Sequence, residues 1–104
     1  MAKYVLVYRG GGMPEGEAEQ QAELAAWGAW FGGLGEAVVD GGNPFGPSKT
    51  LSVDGAASDG GASGLTGYSV ISAASLDDAA GKAKGCPILN SGGTVEVYET
   101  FDVM

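Results

Sequence analysis

The sequence contains no histidine, one cysteine and only five basic residues in 104. Each scarcity removes a class of chemistry. Without imidazole there is no side chain that titrates unperturbed near neutral pH. Ser-His-Asp and Cys-His nucleophile systems are excluded outright. Zinc and copper sites lose their usual nitrogen and sulfur ligands, so no metal or other cofactor is expected. A single Cys86 forbids an intrachain disulfide. The five basic residues face thirteen acidic ones, for a net charge of −8. Nucleic acid needs a basic footprint, and so do anionic membrane surfaces. Neither is an expected partner. No apolar run approaches the length needed to span a bilayer. The segment Met1 to Val5 lacks the apolar stretch of a secretory signal, which makes a cytoplasmic location the simplest expectation.

Glycine, by contrast, is abundant, with 20 residues in no fixed period. Solenoid and collagen architectures are thereby excluded. A chain of this length is expected to form one domain over residues 1–104 with a modest core.

Alternation over Lys3 to Arg9 predicts a strand, broken by Gly10-Gly11-Gly12. Pro14 suits a first helical position, and Glu15, Glu17 and Glu19 suit the positive end of a helix dipole. Apolar residues at Leu24, Trp27, Phe31, Leu34 and Val38 make one helical stripe, so a helix to about Val38 is expected; fraying after Phe31 is the alternative. Gly28, Gly32 and Gly35 run beside that stripe. Their spacing suggests close approach of another backbone, since each interior glycine costs about 1 kcal/mol relative to alanine.

After a long turn at Asp40 to Pro47, Lys49 to Val53 reads as a second strand. The Gly/Ala/Ser/Asp tract from Gly55 to Gly64 reads as a flexible loop. Leu65 to Ala73 is the third strand. Ser75-Leu76-Asp77-Asp78 is a capping box opening a second helix, with Leu76, Ala79, Ala80 and Ala83 as its buried face. Asp77 and Asp78 belong to that cap rather than to a cation site. Gly85-Cys86-Pro87 stops the helix, and Gly93 to Glu99 is the fourth strand. The order β-α-β-β-α-β is the ferredoxin-like α+β plan, with a four-stranded antiparallel sheet and both helices on one face.

Several of these segments together resemble the YCII-related family: Lys3-Tyr4-Val5-Leu6, Val39-Asp40-Gly41, Gly67-Tyr68, Ser75 to Ala79, Gly85-Cys86-Pro87 and Gly92 to Val97. The resemblance spans nearly the whole chain except 55–64. It implies a dimeric α+β barrel, in which two units pack their open sheet faces together and each holds a pocket between sheet and helices. Some members carry a histidine-aspartate pair; this chain has no histidine to match it.

If Val5, Val7, Ile71, Val95 and Val97 face the helices, the opposite face carries Tyr4, Leu6, Tyr8, Tyr68, Val70, Ser72, Glu96 and Tyr98. A lone domain would expose that face as an apolar patch, so a homodimer is expected. The face gathers tyrosines around one carboxylate. Enclosed there, Glu96 would be a general acid or base, with Asp40 as a second candidate. Alternatively Glu96 is salt-bridged at a dimer seam. Tyr8, Tyr68, Ser72, Tyr98 and Trp30 are the expected pocket-lining residues; packing in the core or at an interface is the other role open to Trp30. Cys86 lies at a helix C-terminus, where the dipole disfavours a thiolate, which favours a buried structural thiol over a nucleophile. Arg9 with the following glycines reads as a turn, or as an anion cradle without a phosphate-loop signature.

The expected function is binding of a small apolar or aromatic metabolite in a tyrosine-lined cavity, with proton-transfer (isomerase-like) chemistry as its possible turnover. The alternative is a non-catalytic interaction or regulatory module whose interior is filled.

Overall fold

A computed structural model describes residues 2–11, 14–60 and 64–103. Gly12 of the first glycine turn and residues 61–63 of the expected loop lie outside them. The described chain holds two α-helices, a four-stranded sheet and a separate two-stranded hairpin.

The large sheet joins β1 (Ala2–Arg9), β2 (Val38–Asp40), β5 (Leu65–Ala73) and β6 (Thr94–Glu99). Their order is β2-β5-β1-β6, and every neighbouring pair is antiparallel. β1 and β5 are therefore the central strands. Helix α1 (Glu17–Leu34) connects β1 to β2, and α2 (Leu76–Ala83) connects β5 to β6.

Pairing register decides which side chains share a face. Tyr4 pairs with Ile71, and Leu6 pairs with both Ser69 and Val97. Tyr4, Leu6, Tyr8, Ile71 and Ala73 are buried with Ala79 and Ala83 of α2, followed by Cys86 and Ile88. Trp27, Trp30, Leu34, Val95 and Val97 pack around them. The expected placement of Tyr4, Leu6 and Tyr8 on the open face is thus reversed. The middle of β1 is apolar on both faces, Leu6 between Tyr4 and Tyr8 on one and Val5 with Val7 on the other, so alternation alone does not say which face meets the helices. The open face instead carries Val5, Val7, Tyr68, Val70, Ser72 and Glu96, all half-buried, with Tyr98 exposed.

α2 forms as its cap dictates. Ser75 Oγ accepts from the Asp78 backbone N–H at 3.0 Å, and Asp78 Oδ2 accepts from the Ala74 N–H at 3.0 Å. Lys82 pairs with Asp78 one turn later at 2.9 Å. The Ala74 bond and then Lys82 hold the Asp78 carboxyl below its ordinary range. Leu76, expected on the buried face, stands 46% exposed.

α1 differs more from expectation. It begins at Glu17, three residues after Pro14, and buries no residue fully. Its inward edge is Gln20, Glu23, Trp27, Trp30, Phe31 and Leu34, while Leu24 of the expected stripe is 60% exposed. Gly35 takes φ +58° and ends the α-helix; its N–H still donates to the Phe31 carbonyl. A 3-10 turn, Gly35–Ala37, leads directly into β2. Val38 is therefore a strand residue and not the last helical one. Among the described residues, no atom beyond the helix's own turn lies within 4 Å of a Cβ built on Gly28, Gly32 or Gly35, so none of their backbones approaches the glycine strip.

The expected second strand, Lys49 to Val53, is not in the large sheet. Lys49–Leu51 (β3) pairs with Ala57–Asp59 (β4) in a hairpin turned by Ser52 to Ala56. β4 falls inside the tract expected to be a loop. Asp54 accepts from Ser52 Oγ and from the Ala56 N–H, the local Asx chemistry that stabilises such a turn. The protein is flattened and extended: its radius of gyration is 15.3 Å and its extents are 44 × 40 × 18 Å. A compact domain of this length has a radius of about 13 Å.

Candidate functional site

A cleft of about 450 Å³ lies between α1 and the end of the sheet where β1 and β5 begin to part. That volume is within the range typical of small-molecule sites. Three segments build it.

The floor is β1 and β5. Tyr8, only 5% exposed, donates to Ser69 Oγ at 2.7 Å, and Ser69 donates on to the Gly41 carbonyl at 2.7 Å. Burial pushes the Tyr8 phenol up to about 12, although the Ser69 bond acts the other way. The neighbouring Cys86 thiol is pushed up to about 11, again chiefly by burial. Both groups are held neutral, and Cys86 is a buried structural thiol.

One wall is the stretch from Gly41 to Pro44. It continues the line of β2 along β5, with Pro44 bridged to Gly67 and the Phe45 N–H bonded to the Thr66 carbonyl at 2.9 Å. Gly42 has φ +74°, and a Cβ there would stand 1.7 Å from the Tyr68 carbonyl oxygen. Only glycine lets this wall approach β5 so closely. Tyr68 stacks on Phe45 with centroids 5.8 Å apart.

The other wall is α1 with the 3-10 turn Pro87–Ser91. Trp27 meets Tyr8 edge to face at 5.3 Å and Phe31 at 5.9 Å. Ile88 and Ser91 close the end. Glu23 stands one turn before Trp27. Its Oε1 accepts from Trp27 Nε1 at 3.2 Å and from Ser91 Oγ at 3.0 Å. Among the described residues it is the only carboxylate lining the cleft, and no lysine or arginine lines it.

Of the residues expected to line a pocket, Tyr8 is brought to this cleft; Tyr68 borders it from β5, but its ring stands on the open face against Phe45. Trp30 lies beyond it, donating its indole N–H to the Lys82 carbonyl at 3.0 Å and packing over Gly85. Ser72 is on the open face of β5, near the Ala37 carbonyl at 3.5 Å. Glu96 and Tyr98 are on the open face of β6. There Glu96 pairs with Arg9 at 3.1 Å and accepts from the Tyr98 hydroxyl. That bond is the main cause that raises the Tyr98 phenol above its ordinary value. Asp40 sits at the end of β2, accepting from the Gly42 N–H at 2.8 Å, with the Tyr68 hydroxyl 3.5 Å away. Glu96 and Asp40 are therefore not gathered in one site.

Glu23, Ser69 and Ser91 were not singled out by the sequence. Glu23 carried a signal: it lies four residues before Trp27 and eight before Phe31. A carboxylate in line with an aromatic helical stripe faces the same way as the aromatics. Ser69 and Ser91 are legible only once the register and the 3-10 turn are known. No family model matches this chain, and no curated protein matches it either, so its function rests on the geometry of the cleft.

Proposed function

We propose that this protein binds a small, mostly apolar or aromatic molecule in the cleft between α1 and the sheet. The observation that carries the proposal is the lining: Tyr8, Trp27, Phe31 and Ile88 border about 450 Å³ of space, with a few oriented polar groups among them. A module with a filled interior has no use for such a space. Proton-transfer chemistry, if a ligand is turned over, would draw on Glu23, the carboxylate on that wall, in preference to Glu96 or Asp40.

The test is binding of neutral aromatic probes, indole and phenol among them, followed by NMR at the Trp27 indole proton. Saturable shifts are expected. Leu24→Trp, at an exposed position on the rim, should fill the cleft and remove them without unfolding the protein. Absence of saturable shifts, or shifts that persist in Leu24→Trp, would refute binding at this place.

The strand order and the two crossover helices support the ferredoxin-like plan for the body, and kinship with the YCII-related family is part of the same proposal. A homodimer is favoured by surface area. The chain exposes 6825 Å². A monomer of this mass exposes about 5,400 Å², leaving an excess of about 1,400 Å². A standard interface takes about 800 Å² from each partner. The half-buried valines of the open face are the surface such a partner would cover. The buried reduced thiol of Cys86 suits a cytoplasmic setting.

A further inference from the structure

We infer that the ligand of this cleft carries a cationic nitrogen beside its aromatic or apolar body: an arylalkylammonium or a molecule of that class. The inference rests on the cleft being a binding site, and it deepens that reading by adding a charge.

The geometry starts at Glu23. Its Oε1 already takes two donors, the Trp27 indole N–H at 3.2 Å and the Ser91 hydroxyl at 3.0 Å. Among the described residues Oε2 takes no hydrogen bond. The carboxylate is thus oriented by one oxygen and available through the other. A ligand ammonium is the partner that satisfies it with a charge-assisted bond.

The surroundings select the same sign. Among the described residues no lysine or arginine lines the cleft, so none of them would neutralise a ligand carboxylate or phosphate. The Tyr8 and Ser69 hydroxyl protons are already committed, to Ser69 Oγ and to the Gly41 carbonyl. An anion would enter beside Glu23 without a compensating donor from either. Trp27 adds to the preference. The side chain whose N–H orients Glu23 also lines the cleft with its ring, which places an aromatic π-system beside the carboxylate. Cations gain from both. A net charge of −8 raises the local concentration of cations around the whole molecule.

A divalent metal is a poorer fit. It would want several oxygen ligands, and among the described residues no group of three or more acidic or cysteine side chains is gathered to hold one.

Three probes of similar size isolate the charge: phenethylamine, phenethyl alcohol and phenylacetate, each titrated calorimetrically and by NMR at low and at high salt. The ammonium should bind on the order of 10-fold tighter than the alcohol, as a charge-assisted bond predicts. Phenylacetate should bind more weakly than either. Salt should weaken the amine selectively. Glu23→Gln keeps an acceptor for Trp27 and Ser91 and should reduce the preference for amine over alcohol to within about twofold. Ser91→Ala keeps the carboxylate and should retain the preference, which separates loss of charge from loss of local packing. If the alcohol binds the parent protein as tightly as the amine, or Glu23→Gln keeps the preference, the inference is overturned while the cleft remains a binding site. If none of the three binds, both fall together.

Discussion

Tyr8 and Ser69 are diagonal neighbours on the two central strands, and the phenol donates to the serine oxygen at 2.7 Å while that serine donates to Gly41. The two members of this chain are not equivalent. Tyr8→Phe removes one donor and leaves Ser69 bonded to the Gly41 carbonyl. Ser69→Ala leaves a buried phenol without its acceptor and a carbonyl without its donor. Tyr8→Phe should cost about 0.5–1.5 kcal/mol and Ser69→Ala about 1–3 kcal/mol. Urea unfolding of both variants checks the order, and the reverse order would mean that the serine is satisfied by other means.

The same corner predicts a loss of stability in alkali. Cys86 rises from 9.0 to about 11 on folding, and Tyr8 from 10.0 to about 12. A raised pKa means that the unfolded chain gives up its proton first. The stabilisation is full below about pH 9 and is lost as pH climbs from there towards 11 and 12. Each group accounts for about 3 kcal/mol at the far end of its window. The urea midpoint should fall between pH 8.5 and 10.5 under reducing conditions, and Cys86→Ala should flatten the first part of that fall. Equal slopes in the two proteins would show that the thiol does not contribute.

Ser75→Ala removes the acceptor from the Asp78 N–H and should cost about 1 kcal/mol at neutral pH. Asp78, whose carboxyl is held low, gives the opposite pH sign to Cys86. Its contribution is present above the ordinary aspartate range and is lost as pH falls through the depressed folded value. Asp78→Asn should therefore be least distinguishable from the parent at the acid end of a thermal melt series.

The α1 glycines make a test with two informative signs. A Cβ on Gly28 or Gly32 meets nothing within 4 Å. Alanine at each should stabilise the helix by about 0.5–1 kcal/mol. Destabilisation on thermal melting would mean that a second copy packs its backbone there.

Sedimentation at micromolar concentration should give twice the chain mass. Val70→Lys puts an ammonium in the middle of the open face and should dissociate the dimer, because an unpaired buried charge is costly. A parent protein that sediments as a monomer would remove the barrel proposal.

How much of this was legible in the chain depended on which physics fixed each element. β1, β5, α2 and β6 were readable because local chemistry specifies them: alternation, a serine cap, and a Gly-Cys-Pro stop. β2 was not. Val38-Val39-Asp40 is too short to show a period and continues an apolar helical stripe, so only Gly35 and its positive φ mark the change. β3 was legible as a strand, but its partner β4 hid in a low-complexity tract because main-chain pairing and an Asx turn need no distinctive side chains. The face of β1 could not be told from alternation, since its middle is apolar on both faces and pairing decides. Tyr8 is legible by residue type, whereas Glu23 sits among acidic residues at the start of a helix, where a carboxylate reads first as dipole-facing or solvated.

The bareness of α1 bears on how the cleft would behave in time. It is walled by a helix that buries no residue fully and carries Gly28, Gly32 and Gly33 with open space around them. Such a helix opens at low free-energy cost, whereas the central strands open only with the whole molecule. Amide protons along Glu23 to Phe31 should exchange with solvent orders of magnitude faster than those of Leu6 and Ile71. A molecule seated between Trp27 and Tyr8 would act as a clamp across the two layers, and slowing of exchange confined to α1 would be its signature.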